Sequence, residues 1–381
     1  MNAAGLRFTL FYAAFFLGFG AFLPLLPVWL ETRGLSPEAV GLALAAGTLG
    51  RLFAAPIGGL WSDRAYRQRD VLVAFACVSA ALFILHWPIH HTGMLIILSA
   101  LAGFSFTGLI PISDAFAMKQ SRQAGFTFGI PRAFGSGAFV VGNITAGALV
   151  SLYGGEVIMI WIIAASLILA AAAFLLPPGH RPPGPMPLPY QGIGELLGQG
   201  LPLAFAASAL IQCAHGFYYG FSAITWRDQG INEAMTGILW GVGVGAEVIF
   251  FLVSARFFGR WRPSHLLVLG GVMSLLRWGA LALSPPLWLL IPLQGLHAFS
   301  FAASYFGFLR YASDHAPARF AATAQAVNSA LSGGIALALS YAASGWLHDH
   351  FGAYGFAFMM LPAGAGLIFA IILQHKKSVL P

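Results

Sequence analysis

The sequence predicts an all-α integral membrane protein in which twelve transmembrane helices form two bundles of six. Three observations support this fold class. Apolar side chains make up 59% of the 381 residues and charged ones only 8%, whereas soluble proteins carry roughly a quarter charged residues. Apolar segments of about 20 residues, the length that crosses a bilayer, recur along the chain. A segment with seven prolines between residues 177 and 189 divides them into six and six.

The clearest predicted span runs from Val157 to Leu176, because Ser166 is its only polar side chain. Comparable apolar segments follow one another along the whole chain and predict twelve spans. They lie near residues 6–30, 37–60, 71–88, 94–117, 128–152, 157–176, 199–225, 233–257, 265–284, 287–312, 320–346 and 351–373.

The chain is predicted to have two helical domains, residues 1–176 and 199–381, joined by a linker over 177–198. The linker contains the seven prolines and cannot continue a helix. Fourteen of the nineteen basic residues lie on the side of the termini and the linker, while Arg33 and Arg227 lie on the other. Basic loops stay in the cytoplasm, so we expect both termini there, in a bacterial-type inner membrane.

The net charge of +7 is explained by this topology, and we expect no nucleic-acid partner. Cys77 and Cys213 both lie in apolar stretches and lack metal-site spacing, so neither a disulfide nor a metal site is predicted. Histidines 90, 91, 348 and 350 are interpreted as solvated loop residues. Motifs of ATP use or hydrolysis are missing, so the chain is expected to be neither an enzyme nor a cofactor protein. We expect a monomer in the lipid bilayer.

The two halves contain a sequence repeat with an offset of 196 residues, the difference between 230 and 34. The matched positions are Gly34 with Gly230, Leu35 with Ile231, Ser36 with Asn232 and Gly41 with Gly237. The same offset relates Arg51 to Glu247. Parallel repeats of six helices with a binding site between the halves are a standard plan of secondary transporters.

The loop between the second and third predicted spans carries a motif that includes Gly59, Asp63, Arg64 and Arg67. It resembles the loop signature of the major facilitator superfamily and departs from it at Tyr66, where a glycine is usual. The resemblance implies a gating loop whose charges bridge neighbouring helix ends. The alternative is a basic loop that only sets topology.

A narrower resemblance over nearly the whole chain is to the phenylpropionate/proton symporter family, which is itself similar to lactose permease. The strings that carry it are 111–115, Arg132 with Gly135 and Ser136, 214–224, 246–248, 277–279, and Leu296 with His297. The resemblance implies a major facilitator fold and import of an aromatic monocarboxylate together with protons.

Ionisable residues inside spans are costly in lipid, and their default interpretation is functional. Five lie about ten to sixteen residues from the ends of their predicted spans, near mid-depth: Arg51, His215, Glu247, Arg277 and His297. Asp114 and Arg132 lie nearer the cytoplasmic side. A planar guanidinium forms paired bonds with a carboxylate, so Arg51 and Arg132 are candidate substrate binders. Bonding between helices without substrate is the alternative for either arginine.

The resemblance to lactose permease implies roles for the other ionisable residues. Asp114 and Arg132 would contact substrate, and Glu247, Arg277 and His297 would handle the proton. One family acid is absent, because Ser300 and Phe301 stand one turn after the histidine. A neighbouring arginine changes the proton affinity of a carboxylate, so Glu247 is expected to alternate between a protonated state and an ionised state paired with Arg277. A purely structural salt bridge is the alternative.

One face of the seventh span is predicted to contact the substrate ring. His215, Tyr219, Ser222 and Trp226 recur at i, i+4, i+7 and i+11 and therefore share a helix face. The alternative is ordinary packing, since aromatic residues make up 14% of the chain. A second polar stripe runs through Arg132, Ser136 and Asn143, and bonding between helices is its alternative.

The sequence as a whole predicts a proton-coupled secondary active transporter that imports a small aromatic monocarboxylate, such as phenylpropionate, by alternating access. A sugar or nucleoside symporter and a proton-driven exporter are the alternatives. Exporters of this superfamily typically carry a Gly-Pro signature in the fifth span. The stretch from Gly135 to Gly147 contains no proline, which favours import.

Overall fold

The computed structural model describes residues 2–179, 193–317 and 320–375, whose regular elements are helices. The first six long helices are α1 (Ala3–Thr32), α2 (Pro37–Arg64), α3 (Gln68–His86), α4 (Thr92–Ala124), α5 (Gly129–Tyr153) and α6 (Glu156–Leu175). The next six are α7 (Leu201–Asp228), α8 (Glu233–Phe258), α9 (Pro263–Ala282), α10 (Leu287–His315), α11 (321–351) and α12 (355–375).

The helix lengths and hydropathy match the predicted fold class. Eleven continuous helical stretches of the described chain are long and apolar enough to cross a membrane. The last of them, Thr323–His375, contains nearly all of α11 and the whole of α12, which a short 3₁₀ turn at Gly352–Tyr354 separates. The prediction of twelve helices is therefore confirmed for the part of the chain that the structure describes. Residues 180–192 of the predicted linker lie outside the described residues, so the domain boundary stays a prediction.

The ends of α1 and α7 show the repeat in atomic detail. Gly34 has a φ of +82° and Gly230 a φ of +81°, the left-handed region that favours glycine. The Gly34 N–H donates to the carbonyl of Glu31 at 2.8 Å, and the Gly230 N–H donates to the carbonyl of Arg227 at 2.9 Å. The following helices also begin alike. The side chains of Ser36 and Asn232 accept hydrogen bonds from the backbone three residues later.

The described chain divides into two compact units. The first comprises residues 1–184 and 220–241, and the second comprises residues 185–219 and 242–381, as far as these ranges are described. In the first unit α1 lies along α5 and α6, while α2 packs on α4 and α3 on α6. In the second unit α9 packs on α10 and α12, and the first half of α7 packs on α11 and α12.

Glycine allows helix backbones in the first unit to touch. A Cβ atom added to Gly103 of α4 would lie 1.9 Å from the carbonyl oxygen of Gly47 in α2. A Cβ atom on Gly142 of α5 would lie 2.3 Å from the carbonyl oxygen of Leu17 in α1. Small residues at such crossings are typical of membrane helices, because packing rather than the hydrophobic effect joins helices in lipid.

Three of the described helices contain a π-helical segment. These segments are Gly103–Thr107 in α4, Ala298–Ala303 in α10 and Leu331–Ala336 in α11. The first two occupy nearly equivalent positions of the repeat. A π segment turns the side chains that follow it relative to a regular helix, and such segments are frequent at functional sites.

Candidate functional site

A fully buried charge lies in the second unit: the guanidinium of Arg277 in α9, which is 0% exposed. Its Nη2 donates to Oε1 of Gln294 at 3.0 Å, and its Nη1 lies 3.0 Å from Nδ1 of His297. Nη1 also donates to Oγ of Ser300 at 3.4 Å. All three partners come from α10. We call Arg277, Gln294, His297, Ser300, His215 and Glu247 the arginine cluster.

Aromatic faces complete the surroundings of this cation. The Cζ atom of Arg277 lies 4.4 Å from the ring centre of Tyr218 and 4.8 Å from that of Trp278. An aromatic face attracts a cation, and most strongly where water is excluded. The three acceptors and two rings together offset the cost of placing a charge inside the membrane.

The Arg277 contact fixes the tautomer of His297. A guanidinium can only donate hydrogen bonds, so Nδ1 of His297 must accept one. The neutral ring therefore carries its hydrogen on Nε2, and this atom lies 3.6 Å from Oε2 of Glu247 in α8. Glu247 retains 24% of its side-chain exposure. A neutral imidazole thus links the buried cation to a partly exposed carboxylate.

His215 of α7 is bound on the other side of Ser300. Its Nδ1 lies 3.2 Å from the carbonyl oxygen of Ile211 and 3.1 Å from that of Gln212, so Nδ1 carries the hydrogen. Its Nε2 then accepts from the Ser300 hydroxyl at 3.2 Å. Ser300 therefore accepts from Arg277 and donates to His215. A hydroxyl takes this position in a chain that lacks the expected second acid of the tenth span.

The first unit contains a second group of polar side chains, formed by α1, α4 and α5. The hydroxyl of Tyr12 donates to Oδ1 of Asp114 at 2.6 Å. Nε of Arg132 lies 3.5 Å from the same oxygen, and the side chains of Arg132 and Asp114 are 34% and 28% exposed. The guanidinium also lies over aromatic rings, with Cζ 4.9 Å from the centre of Phe16 and 5.6 Å from that of Tyr12. We call these four residues the Tyr12 cluster.

The Tyr12 cluster leaves part of its guanidinium available for a ligand. The contact between the two side chains is at Nε of Arg132, 3.5 Å from Oδ1 of Asp114, and about a third of the Arg132 side chain is exposed. The Tyr12 hydroxyl holds the carboxylate in this position through a short charge-assisted bond. The two Nη atoms form the fork that binds a carboxylate through paired hydrogen bonds.

The structure brings together several of the predicted site residues. Glu247, Arg277, His297 and His215 share the arginine cluster, and Asp114 pairs with Arg132. The half-buried Tyr219 joins the arginine cluster, since its ring centre lies 5.6 Å from that of His215 and 6.4 Å from that of His297. The predicted roles of these residues remain predictions.

Two other predicted residues, Arg51 and Trp226, belong to the first compact unit. Arg51 is half-buried in the middle of α2. Trp226 is 1% exposed and belongs to the first compact unit, and the neighbouring Ser222 accepts a hydrogen bond from Nε1 of Trp240 at 3.2 Å. The face predicted for the seventh span is therefore mostly buried, and Tyr219 is its half-exposed member. A substrate contact at Trp226 stays a prediction.

Sequence reasoning missed Tyr12, Phe16, Tyr218 and Gln294. Gln294 precedes His297 by three residues, so it lies on the same helix face. This spacing could have predicted that Gln294 belongs to the site. Tyr12 and Phe16 carry no comparable signal, because α1 contains many aromatic residues and its neighbours in α4 and α5 are more than 100 positions away.

The predicted gating loop is mostly helical: Gly59, Asp63 and Arg64 lie in the last turns of α2, and Arg67 alone of the four lies between α2 and α3. Arg64 and Arg67 are exposed, Gly59 faces open space, and the side chain of Asp63 lies outside the described residues. The neighbouring Arg69 reaches another helix end instead, since its Nη1 donates to the carbonyl of Leu176 at 3.3 Å. Its backbone N–H donates to the carbonyl of Pro178 at 3.1 Å. A gating role for the loop remains a prediction.

An ion pair joins the ends of α1 and α7. Nη2 of Arg227 donates to the carboxylate of Glu31, and the two residues are 196 positions apart, the offset of the repeat. Equivalent positions of the two repeats therefore carry opposite charges and bind each other. Next to this pair, Arg33 donates to Glu156 at 2.7 Å and lies 4.8 Å from the ring centre of Trp29.

Comparison with known proteins agrees with this geometry. The MFS_1 like family model matches residues 6–360. The chain is 31% identical to the "Probable 3-phenylpropionic acid transporter" of Escherichia coli K12, over 92% of this chain and 93% of that protein. It is 28% identical to the maltose permease of Geobacillus stearothermophilus, over 86% of this chain and 84% of that protein.

Solved structures show the same fold. A single-residue variant of the nucleoside transporter NupG matches with a TM-score of 0.84 and 16% sequence identity, over 98% of this chain and 99% of that one. A bacterial homologue of the lysosomal transporter Spinster matches with a TM-score of 0.70 and 16% identity, over 97% of this chain and 94% of that one. The described helices, the repeat and the family model lead to one conclusion: this chain is a multi-pass membrane transporter of the major facilitator superfamily and belongs to its MFS_1 like family.

Proposed function

We propose that this transporter is a proton-coupled symporter that imports a small aromatic monocarboxylate of the phenylpropionate type by alternating access. The observation that carries the proposal is the exposure of the Arg132 side chain and its contacts. Its guanidinium is about one-third exposed, is engaged by Asp114 at Nε, and lies over the rings of Phe16 and Tyr12. A site that combines a carboxylate fork with aromatic faces suits an aryl carboxylate better than a sugar.

The charge balance of the candidate site residues supports an anionic substrate. Arg51 and the two clusters together contain three arginines, Arg51, Arg132 and Arg277, and two acids, Asp114 and Glu247. Three positive and two negative charges leave a net charge of +1. Because uncompensated charge is costly in the membrane, one bound monocarboxylate would bring the sum to zero.

The arginine cluster supports proton coupling. With Glu247 ionised, the cluster holds one cation and one anion and is neutral. With Glu247 protonated, the buried Arg277 keeps its charge while its countercharge is lost. This difference gives protonation an energetic effect on the conformation of the transporter, which a coupled carrier requires. His297 would transmit it, since it contacts both residues.

One relative supports the substrate class, and the distribution of basic residues supports the orientation. The Escherichia coli protein named for 3-phenylpropionic acid matches over almost the whole length of both chains. The positive-inside distribution supports a bacterial inner membrane with both termini in the cytoplasm. We further propose a monomer as the transporting unit.

Counterflow in proteoliposomes tests the substrate class. Vesicles loaded with unlabelled 3-phenylpropionate should take up the labelled acid, whereas 3-phenylpropionamide, maltose and uridine should compete weakly. Arg132→Lys should reduce exchange of the acid about tenfold or more, because hydrogen bonds to charged groups contribute about 1.5–3 kcal/mol each. Arg122→Lys, at an exposed position of α4, is the matched control and should exchange normally. Efficient exchange of maltose or uridine without exchange of aryl acids would refute the proposal.

A further inference from the structure

A stripe of three phenylalanines on α1 adjoins the Tyr12 cluster. Phe16, Phe19 and Phe22 are half-buried. They belong to the part of α1 between positions 11 and 30, in which every residue is buried or half-buried. Their rings touch in sequence, with centres 6.1 Å apart from Phe16 to Phe19 and 6.0 Å apart from Phe19 to Phe22. We call these three residues the α1 aromatic stripe.

The stripe packs against rings of α4 and α5. The ring of Phe19 lies 6.4 Å from that of Phe106 and 5.9 Å from that of Phe139. The ring of Phe22 lies 5.3 Å from Phe106, which is 1% exposed. Side chains at the outer surface of the helices behave differently: Phe174 of α6 is 58% exposed. The stripe therefore has neither the full burial of the core nor the exposure of an outer surface.

One end of the stripe carries a cation. The Arg132 guanidinium lies 4.9 Å from the centre of Phe16, so the cation continues the row of rings. In an aryl acid with a two-carbon tether, the ring centre and the carboxylate carbon are about 5 Å apart. This length is comparable to the 4.9 Å between the guanidinium and the centre of Phe16, and Phe19 is the next ring of the stripe. Aromatic pairs are favourable at centre distances of about 4.5–7 Å.

The repeat gives independent support for a ligand role of this face. At the offset of 196, Phe16 corresponds to Gln212 and Phe19 corresponds to His215. His215 is bound into the arginine cluster through Ser300, and Gln212 donates to Ser304 at 2.8 Å. The same helix face is thus polar and hydrogen-bonded in the second repeat. In the first repeat it is aromatic and half-buried.

From these contacts we propose that Phe16 and Phe19 form the subsite for the substrate's aromatic ring, with Arg132 binding its carboxylate. This inference rests on the proposed function and goes beyond it, because it places ring recognition on α1 instead of on the predicted face of α7. Phe16 has two roles: its face receives the substrate ring, and it supports the guanidinium. Phe19 contributes to ring recognition alone.

The test compares acids that share a charge and differ in the ring. Competition against labelled 3-phenylpropionate in counterflow gives apparent affinities for 3-phenylpropionate, 3-cyclohexylpropionate and hexanoate. Phe19→Leu should weaken the aryl acid about three- to tenfold and change the cyclohexyl acid little, because only the aryl ring loses an aromatic partner. Phe19→Tyr retains a ring and should keep the preference. Phe16→Leu should weaken all three acids, since Arg132 loses its support.

Controls separate the outcomes. Phe174→Leu removes an exposed ring from α6 and should leave every affinity unchanged. If Phe19→Leu does not yield folded protein, Phe19→Met, which is close in volume, replaces it and should show the same loss. Unchanged aryl preference in folded Phe19→Leu or Phe19→Met would overturn the subsite, while sensitivity to Arg132→Lys would leave the proposed function standing. Failure of the unmodified transporter to exchange any aryl acid would overturn both.

Discussion

Removing the buried guanidinium of Arg277 tests the electrostatic link within the arginine cluster. Arg277→Met deletes the bonds to Gln294, His297 and Ser300, at 3.0, 3.0 and 3.4 Å, together with two cation–π contacts. It also removes the cation that His297 links to Glu247. A buried acceptor left without its donor costs about 1–3 kcal/mol, so the loss of three bonds should lower the free energy of unfolding by about 3–5 kcal/mol.

The second arm of the experiment neutralises the acid. Glu247→Gln alone leaves Arg277 with its three acceptors on α10, and the 24% exposure of the Glu247 side chain limits the loss, so we expect about 1–2 kcal/mol. In the double variant the neutral amide at position 247 no longer needs a cation. The total cost should therefore be smaller than the sum of the single costs, by about 1–2 kcal/mol, which is the interaction energy of the pair.

Unfolding of the purified protein in detergent, followed by tryptophan fluorescence or by thermal aggregation, measures all three variants on one scale. Arg122→Met at an exposed position is the control and should change stability by less than about 0.5 kcal/mol. Strictly additive costs in the double variant would refute the reasoning. They would mean that Glu247 and Arg277 have no interaction energy through His297. Protonation of Glu247 would then have no effect on the buried charge.

Two further predictions concern the other polar contacts. Tyr12→Phe removes the 2.6 Å bond to Asp114, so the carboxylate of Asp114 can then occupy more of Arg132. The apparent KM for carboxylate exchange should rise about tenfold. An unchanged KM would contradict the role of Tyr12. Arg227→Glu places two carboxylates together at the ends of α1 and α7; because both partners are about one-third exposed, the loss of stability should be only about 1 kcal/mol. The charge-swapped pair Glu31→Arg with Arg227→Glu should recover it at low salt, and a swap as unstable as the single change would contradict a direct pair.

Much of the fold is predictable from this sequence because lipid imposes a simple rule. Every span needs about 20 apolar residues, so α6 is visible as an almost unbroken apolar run. The ends of α1 and α7 are also predictable, because Gly34 and Gly230 mark their left-handed turns. The boundary between α11 and α12 is harder to see by hydropathy alone, since the helical stretch Thr323–His375 is apolar throughout and is interrupted by a short turn.

The candidate site is predictable in its charges and less so in its contacts. Arg277, Glu247 and His297 are conspicuous because ionisable groups are rare in spans. Their linkage through the two nitrogens of His297 depends on side-chain placement, which spacing does not give. Ser300, which contacts Arg277, lies in the π segment Ala298–Ala303. The residue pattern of the sequence does not predict such a segment. Aromatic residues are too common in this chain for Phe16 to stand out.

We propose that proton movement through Glu247 drives import of an aromatic monocarboxylate. The most direct measurement is the initial rate of labelled 3-phenylpropionate uptake into proteoliposomes under an imposed inward proton gradient, with protein-free vesicles as the background for passive entry of the acid. Glu247→Gln imitates the permanently protonated side chain, so gradient-driven uptake should fall to background while counterflow in the same vesicles continues. Full gradient-driven uptake by Glu247→Gln would contradict the claim and would make Asp114 the next candidate for the proton site.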